Sequence, residues 1–356
     1  MDWVESAEAI EDVDELLAGV GLEHGRRKSR AGTWAGGERR GRPKPGAVNA
    51  RIGRKTAVVR AQGWERYGWL RHGFSSRAGG VSPIYGEGSL NLGFTKEDDA
   101  ANVVENRRRF VGEVAASPPP QNRDVGHPGR LVTMRQIHSG LVRVVEAGDG
   151  PLETADGRAV LRGDGMMTDV PGMLLGVQVA DCVPVLVADV RRRAVGVFHA
   201  GWRGTLKRIV ERGIGTMRLR YGSRPEELLA VVGPSIGACC YSVGEEVRHE
   251  FESQFAYAPE LFSEVYDSDP VREKYPLLFL TARAPGHSNI GPQTHLDLWE
   301  ANRRQLLDAG LKAKRITVIG ECTACARLKG GGLKYFSHRG ESGFAGRMMG
   351  VVGVAE

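Results

Sequence analysis

The chain has no long uninterrupted apolar run. Its most apolar stretch is broken by Asp181 and Pro184, so no segment supplies the ~20 apolar residues of a membrane-spanning helix. The start, MDWVESAEAIEDVDELL, is acidic and lacks both the basic flank of a secretory signal and the Arg- and Ser-rich character of a transit peptide. A cytoplasmic protein with no membrane partner is the expectation. There is no even set of cysteines either. The five, at 182, 239, 240, 322 and 325, argue against a disulfide framework and for buried thiols or metal ligands. The nine histidines contain no His-x-His pair, and no internal repeat or recognisable nucleic-acid motif is present.

What is present suits a globular protein: 356 residues, 41% hydrophobic and 26% charged, with a net charge of +6. The charge is unevenly spread. Residues 1–25 hold acids without a single Lys or Arg, and residues 26–55 hold a dense basic run with only Glu38 opposing it. Such a pair of blocks is better read as a self-pairing tail than as a nucleic-acid reader. Residues 1–55 are therefore expected to be a charged, mostly disordered extension, and residues 56–356 the folded domain.

Strand and helix patterns alternate irregularly along that domain. Met173–Val187 and Ala194–Phe198 are β-branched apolar runs separated by Asp189–Arg193, the pattern of two buried strands joined by a hairpin. Helices are expected over Asp98–Val114, with Val103, Val104 and Phe110 inward, over Thr205–Arg220, and around Val243, Val247, Phe251 and Phe255. Another should begin at Asp297, a good N-cap with Glu300 completing a capping box, and end at Gly310. Strands are expected at Leu131–Gln136, Val142–Val145, Leu228–Val232, Ile316–Ile319 and Tyr335–Ser337. Arg71–Pro83 and Tyr85–Phe94 read as loops, Ser117–Gly129 as a Pro- and Gly-rich loop and Ala258–Thr294 as a long excursion. This order fits an α+β domain with mixed sheets.

Chemistry concentrates between Asp164 and Gly204, which holds Asp181, Cys182, His199 and the glycine-bracketed turn Gly201-Trp202-Arg203-Gly204. Cys182 and His199, with His138 from an earlier strand end, are of the types that hold catalytic zinc. Their separations, 44 and 17 residues, contain no close ligand pair. A buried thiol and a hydrogen-bonded histidine explain them as well, and so does a Cys182–His199 nucleophile–base pair oriented by Asp181. Arg203 and Arg77, both beside glycines, are candidate anion ligands or solvated surface groups. Cys322 and Cys325 form the one Cys-x-x-Cys; with Cys239 and Cys240 adjacent rather than spaced, a turn holding partly buried thiols is the simpler reading.

In order, the segments HGFSSRAGGVS, SLNLGF, ENRRRF, RQIHSG, DGMMTD, VADCVPVLVAD, VFHAGWRGT, VGPSIGACCYSVG, HLDLWEANRRQL, ECTAC and YFSHR resemble the multicopper laccase-domain family. Its members have been called polyphenol oxidases, peptidoglycan editing factors and purine nucleoside phosphorylases. The resemblance spans about Trp69 to Val352 and implies a single-domain sandwich of mixed β-sheets flanked by helices. It places zinc on His138, Cys182 and His199, with copper as the lesser alternative. The implied activity is phosphorolysis of adenosine, inosine, guanosine and methylthioadenosine, with adenosine deamination beside it. Purine nucleosides and phosphate would be the partners, with Arg77 and Asn91 of SLNLGF binding substrate and Asp181 and Arg203 catalytic. The family's names also suggest a cysteine-dependent hydrolase of peptidoglycan precursors or a copper polyphenol oxidase. A non-enzymatic tether through Arg26–Lys55 is a further reading of the basic run. The chain departs from the family pattern at His338 of FSHR, where an aromatic is usual, over Ala258–Thr294, and at the glycines near Gly330.

Overall fold

A computed structural model describes residues 58–116, 130–265 and 293–356. The chain divides into the units Met1–Ile52 and Gly53–Glu356, and every described residue belongs to the second. The acidic and basic tail, the Ser117–Gly129 loop and most of the Ala258–Thr294 excursion lie outside the described residues.

In chain order the strands are β1 (Val58–Val59), β2 (Leu70–Ser75), β3 (Ala78–Ser82), β4 (Arg130–Thr133), β5 (Val142–Val144), β6 (Gly165–Thr168), β7 (Met173–Val179), β8 (Val183–Asp189), β9 (Ala194–Ala200), β10 (Leu228–Val232), β11 (Phe262–Val265), β12 (Gln293–Leu296), β13 (Ile316–Val318) and β14 (Met348–Val354). The α-helices are α1 (Ala100–Ala115), α2 (Trp202–Leu206), α3 (Ile209–Tyr221), α4 (Glu245–Gln254) and α5 (Leu298–Asp308). A five-stranded sheet has the order β1-β2-β14-β7-β4, and a six-stranded sheet the order β13-β10-β8-β9-β6-β5. Both mix parallel and antiparallel neighbours. The α+β expectation holds.

The apolar strands are buried on both faces, because the sheets pack on each other and helices cover them outside. On β8, Leu186 and Ala188 join Val177 of β7, Val352 of β14 and Val197 of β9 in the inter-sheet core. The alternate residues Val183, Val185 and Val187 meet Ile214 of α3, Phe251 of α4 and Leu306 of α5. The two-residue period of a strand produces this split, and each such side chain contributes about 1.5–3 kcal/mol on burial. The outer face of the other sheet is covered by α1 through Phe110, Val111 and Val114. Among the described residues no helix is long and apolar enough to cross a membrane.

Several expectations change in detail. Met173–Val187 is not one strand: β7 and β8 belong to different sheets, and Ala180-Asp181-Cys182 carries the chain between them, with Asp181 at φ 91°. The expected hairpin is β8 to β9, with Asp189 Oδ1 accepting from the backbone N–H groups of Arg191 and Arg192. The helix expected over Thr205–Arg220 is two, α2 and α3, broken where Arg208 takes a left-handed φ of 55°. Val104 of α1 faces solvent, being 54% exposed. The Arg71–Pro83 loop is largely β2 and β3, and Tyr335–Ser337 is irregular rather than a strand. The central strand β14, which the sequence reading passed over, pairs with both β2 and β7.

Candidate metal centre and its cavity

Three ligand-type side chains converge where strands end. His138 lies in the loop after β4, Cys182 at the β7–β8 crossover, and His199 on β9 directly opposite Pro184. Their donor atoms all lie within 4.8 Å of one another. The two imidazoles meet edge-on, with centroids 5.0 Å apart. Sequence separation hid this closeness, because the sheet-to-sheet crossovers bring distant residues together.

Asp164, which precedes β6, builds the centre from behind. It is fully buried. Its Oδ1 lies 2.9 Å from His199 Nδ1 and accepts the His138 N–H at 3.0 Å. Its Oδ2 accepts the Ser139 N–H and hydroxyl at 2.6 and 2.7 Å. Burial opposes its ionisation, but the hydrogen bonds from His199 and Ser139 win and hold its carboxyl well below the usual range. This ionised bracket sustains the left-handed turn at His138, φ 55°, a strained conformation that survives where the surroundings over-determine it. Because Asp164 takes His199 Nδ1, Nε2 is the nitrogen left to ligate, the carboxylate–histidine arrangement usual at metal sites. Asp164 heads the DGMMTD motif, yet nothing in its spacing marked it out.

Burial alone would raise the Cys182 thiol, but the neighbouring His199 charge and hydrogen bonds from His138 and His199 bring it down to about 6. Burial likewise works against charge on His199, but Cys182 and Asp164 push it up to about 9. Two imidazoles, a ready thiolate and a fixed tautomer are a donor set that could hold a metal ion with an open position. Gly201 leaves room for it: a Cβ there would stand 2.7 Å from Cys182 Sγ.

The triad faces a cavity of about 520 Å³ that is also lined by Arg135, Gln136, Gln178, Asp181, Tyr241, His338, Arg339 and Arg347. Of the residues singled out from sequence, Asp181 reaches this cavity but has both carboxylate oxygens engaged. One accepts the Thr323 hydroxyl and the other the Arg339 N–H, each at 2.6 Å. Asn91 is fully buried, and its Oδ1 accepts the Arg347 N–H at 2.8 Å. The Arg77 guanidinium is spent on the Tyr85 carbonyl, Glu341 and the face of Phe336, and Glu341 in turn accepts the Ser337 N–H. Neither Asn91 nor Arg77 lines the cavity; Asn91 stands one layer behind it, through Arg347. Arg203 stacks on Trp202 and lines a different cavity. The arginines that do line it, 135, 339 and 347, were passed over. Arg339 follows His338 in the FSHR motif, whereas Arg347 sits in a stretch without any motif.

The chain is similar to known proteins over most of its length. The profile of a family described as multi-copper polyphenol oxidoreductase laccase matches residues 71–355. The purine nucleoside phosphorylase YlmD of Geobacillus stearothermophilus is 33% identical over 302 residues, 82% of this chain and 96% of the relative. Adenosine deaminase RL5, from an unknown prokaryotic organism, is 30% identical over 71% of this chain and 84% of its own length. Among solved structures, YlmD from Geobacillus stearothermophilus superposes with a TM-score of 0.63 at 30% identity, covering 84% of this chain and 96% of that one. The hypothetical protein YfiH of Bacillus licheniformis gives 0.65 at 29% identity, covering 85% and 98%. The chain belongs to the multi-copper polyphenol oxidoreductase laccase family.

Proposed function

We propose that the chain is a zinc-dependent purine nucleoside phosphorylase that also deaminates adenosine, acting in the cavity above His138, Cys182 and His199. One observation carries this reading. A metal-competent His₂Cys triad and three arginines share one cavity of about 520 Å³, within the ~300–1,000 Å³ usual for small-molecule sites. One relative is named for phosphorolysis and another for adenosine deamination, which supports the pairing.

In phosphorolysis a phosphate oxygen attacks C1′ of the ribose, the C1′–N bond breaks, and the purine leaves with the bonding electrons and takes up a proton. Arg135, Arg339 and Arg347 hold the phosphate and offset its charge as it attacks. Asp181 and Asn91 act as positioning residues, fixing the main chain of Arg339 and Arg347. Burial and the nearby Cys182 charge push the Tyr241 phenol up to about 12, so it remains protonated and donates a hydrogen bond to the nucleoside. His138, Cys182 and His199 would hold the zinc, which would supply the Lewis-acid activation of water that deamination at C6 requires. All five cysteines are free, as the proposed cytoplasmic setting demands.

Purified protein incubated with adenosine, with and without phosphate, should yield adenine and ribose 1-phosphate in the first case and inosine in both. Absence of all three products refutes the proposal. A second reading has its own support. Cys182, His199 and Asp164 form a thiolate–imidazole–carboxylate series, the order of a cysteine hydrolase. A metal-bound thiolate cannot also attack carbon, so alkylation of Cys182 in zinc-loaded protein separates the two: protection favours the phosphorylase. Copper-dependent phenol oxidation draws less support, because such oxidases use further His-rich copper centres, and the second ligand cluster among the described residues is all cysteine.

A further inference from the structure

The other four cysteines also meet. Cys239 and Cys240 follow the β10 strand in the Gly233–Gly244 turn, and Cys322 and Cys325 follow β13. Those strands are parallel neighbours, so both turns leave the sheet at the same end. The extension continues as a bridge between Ser235 and Cys322, with the Thr323 N–H donating to the Ser235 carbonyl at 3.0 Å. Adjacent cysteines and a Cys-x-x-Cys, which spacing alone did not join, are thereby brought face to face. All four sulfurs lie within 4.8 Å of one another.

The geometry points to a tetrathiolate zinc site at Cys239, Cys240, Cys322 and Cys325, separate from the triad of the nucleoside cavity. Zinc–sulfur bonds of about 2.3 Å in a tetrahedron place sulfurs about 3.8 Å apart. Cys239 and Cys325 already stand 3.7 Å apart, far from the ~2.05 Å of a disulfide. The Gly237 N–H donates to Cys322 Sγ at 3.3 Å. The N–H groups of Cys325 and Ala324 are hydrogen-bonded to the same sulfur. Backbone donors folded onto the first sulfur of a Cys-x-x-Cys turn stabilise a thiolate ligand. Gly237 permits the approach, since a Cβ there would lie 3.3 Å from Cys239 Sγ and 2.8 Å from the Trp299 ring. Four sulfur donors select a soft tetrahedral ion, zinc rather than magnesium or calcium. On binding, the thiols release their protons to solvent and no redox change occurs. The ion would clamp two turns that both reach the cavity, one through Tyr241 and the other through the Thr323 hydroxyl on Asp181. The role is structural, and it does not depend on what the cavity turns over.

Metal content and native mass of the full chain, purified under reducing and oxygen-free conditions, test the site. Cys182→Ala should retain one equivalent of zinc, and adding Cys239→Ser with Cys325→Ser should remove it. Those two cysteines are exposed, so their replacement spares the fold more than that of buried Cys322. In a chelator competition, Cys325→Ser alone should weaken the residual zinc at least about tenfold. Cobalt loaded into Cys182→Ala should show intense sulfur-to-metal absorption. The inference is overturned if Cys182→Ala binds no zinc, if the Cys239/Cys325 pair can be replaced without metal loss, or if intact mass shows a disulfide among these thiols. An empty cavity triad would leave wild type and Cys182→Ala with equal zinc, so failure of the catalytic reading remains distinguishable.

Discussion

At the scale of single residues, Asp164 governs the candidate metal centre although it does not line the cavity. It fixes the His199 ring through Nδ1 and the His138 turn through backbone N–H groups. Asp164→Asn replaces an acceptor-only group with one that carries donors aimed at donors. Zinc affinity at the triad should fall about 10–100-fold, read by chelator competition; unchanged affinity would show that the carboxylate does not act through the ligands. Gly201→Ala asks a different question. Its backbone, φ −68° and ψ 174°, suits any residue, so the added methyl acts by contact alone, 2.7 Å from Cys182 Sγ. The expected result is a loss of triad metal of about tenfold or more with unaltered far-UV circular dichroism. The sequence reading singled out Cys182, His199 and His138 as chemical types, but its spacing argument could not join them. Asp164 escaped notice because a carboxylate that supports ligands from behind has no sequence signature of its own.

At the scale of elements, helix α3 lies so close to β9 that Gly213 is required. A Cβ at that position would come within 2.2 Å of the fully buried Phe198 ring. Alanine is the better helix former by about 1 kcal/mol, whereas forcing extra volume into a filled core costs about 1–3 kcal/mol. The Phe198 ring is fully buried and also lies close against Gly165 and Gly196, so the steric cost should win. Gly213→Ala should lower stability by up to about 2 kcal/mol net, measured from urea midpoints; a gain would show that the helix can back away. The β8–β9 hairpin, α1 and α5 were legible because period, cap and turn residues agree locally. At α5, for example, the Asp297 side chain caps the helix by accepting the Glu300 N–H. The β7–β8 division was not legible, because apolar residues run through both strands and the change of sheet falls on three residues, Ala180 to Cys182. The break between α2 and α3 was hidden for a similar reason: the helical apolar spacing continues past Arg208, and only its left-handed φ interrupts it.

At the scale of the molecule, pH acts on stability through His72 of β2. Its Nε2 accepts the Ala61 N–H at 3.1 Å, and its ring packs on Trp64. Burial, with the Arg60 charge beside it, pushes the imidazole down to about 4. In the unfolded chain it titrates near ~6.5, so the unfolded state takes up the proton first as pH falls. The contribution is complete above about pH 7 and is lost between about pH 6.5 and 4, about 2 kcal/mol of it by pH 5. Urea unfolding at pH 7 and pH 5 should show wild type losing about 2 kcal/mol more than His72→Gln; equal losses would contradict the assignment. The layered α+β architecture followed from irregular alternation of strand and helix patterns. Long-range order did not, since β14 at the far end of the chain enters the middle of the first sheet, and no local pattern tells a strand which neighbours it will find.

The chain passes from the five-stranded to the six-stranded sheet through His138, between β4 and β5, and again through Cys182, between β7 and β8, while His199 rides on the second sheet itself. The three donors therefore form a gauge of sheet alignment. A slip of one layer over the other by about 1 Å would open the ligand triangle before any strand unpaired. Substitutions in the inter-sheet core, far from the cavity, would then register first as a loosened grip on the ion and only later as unfolding.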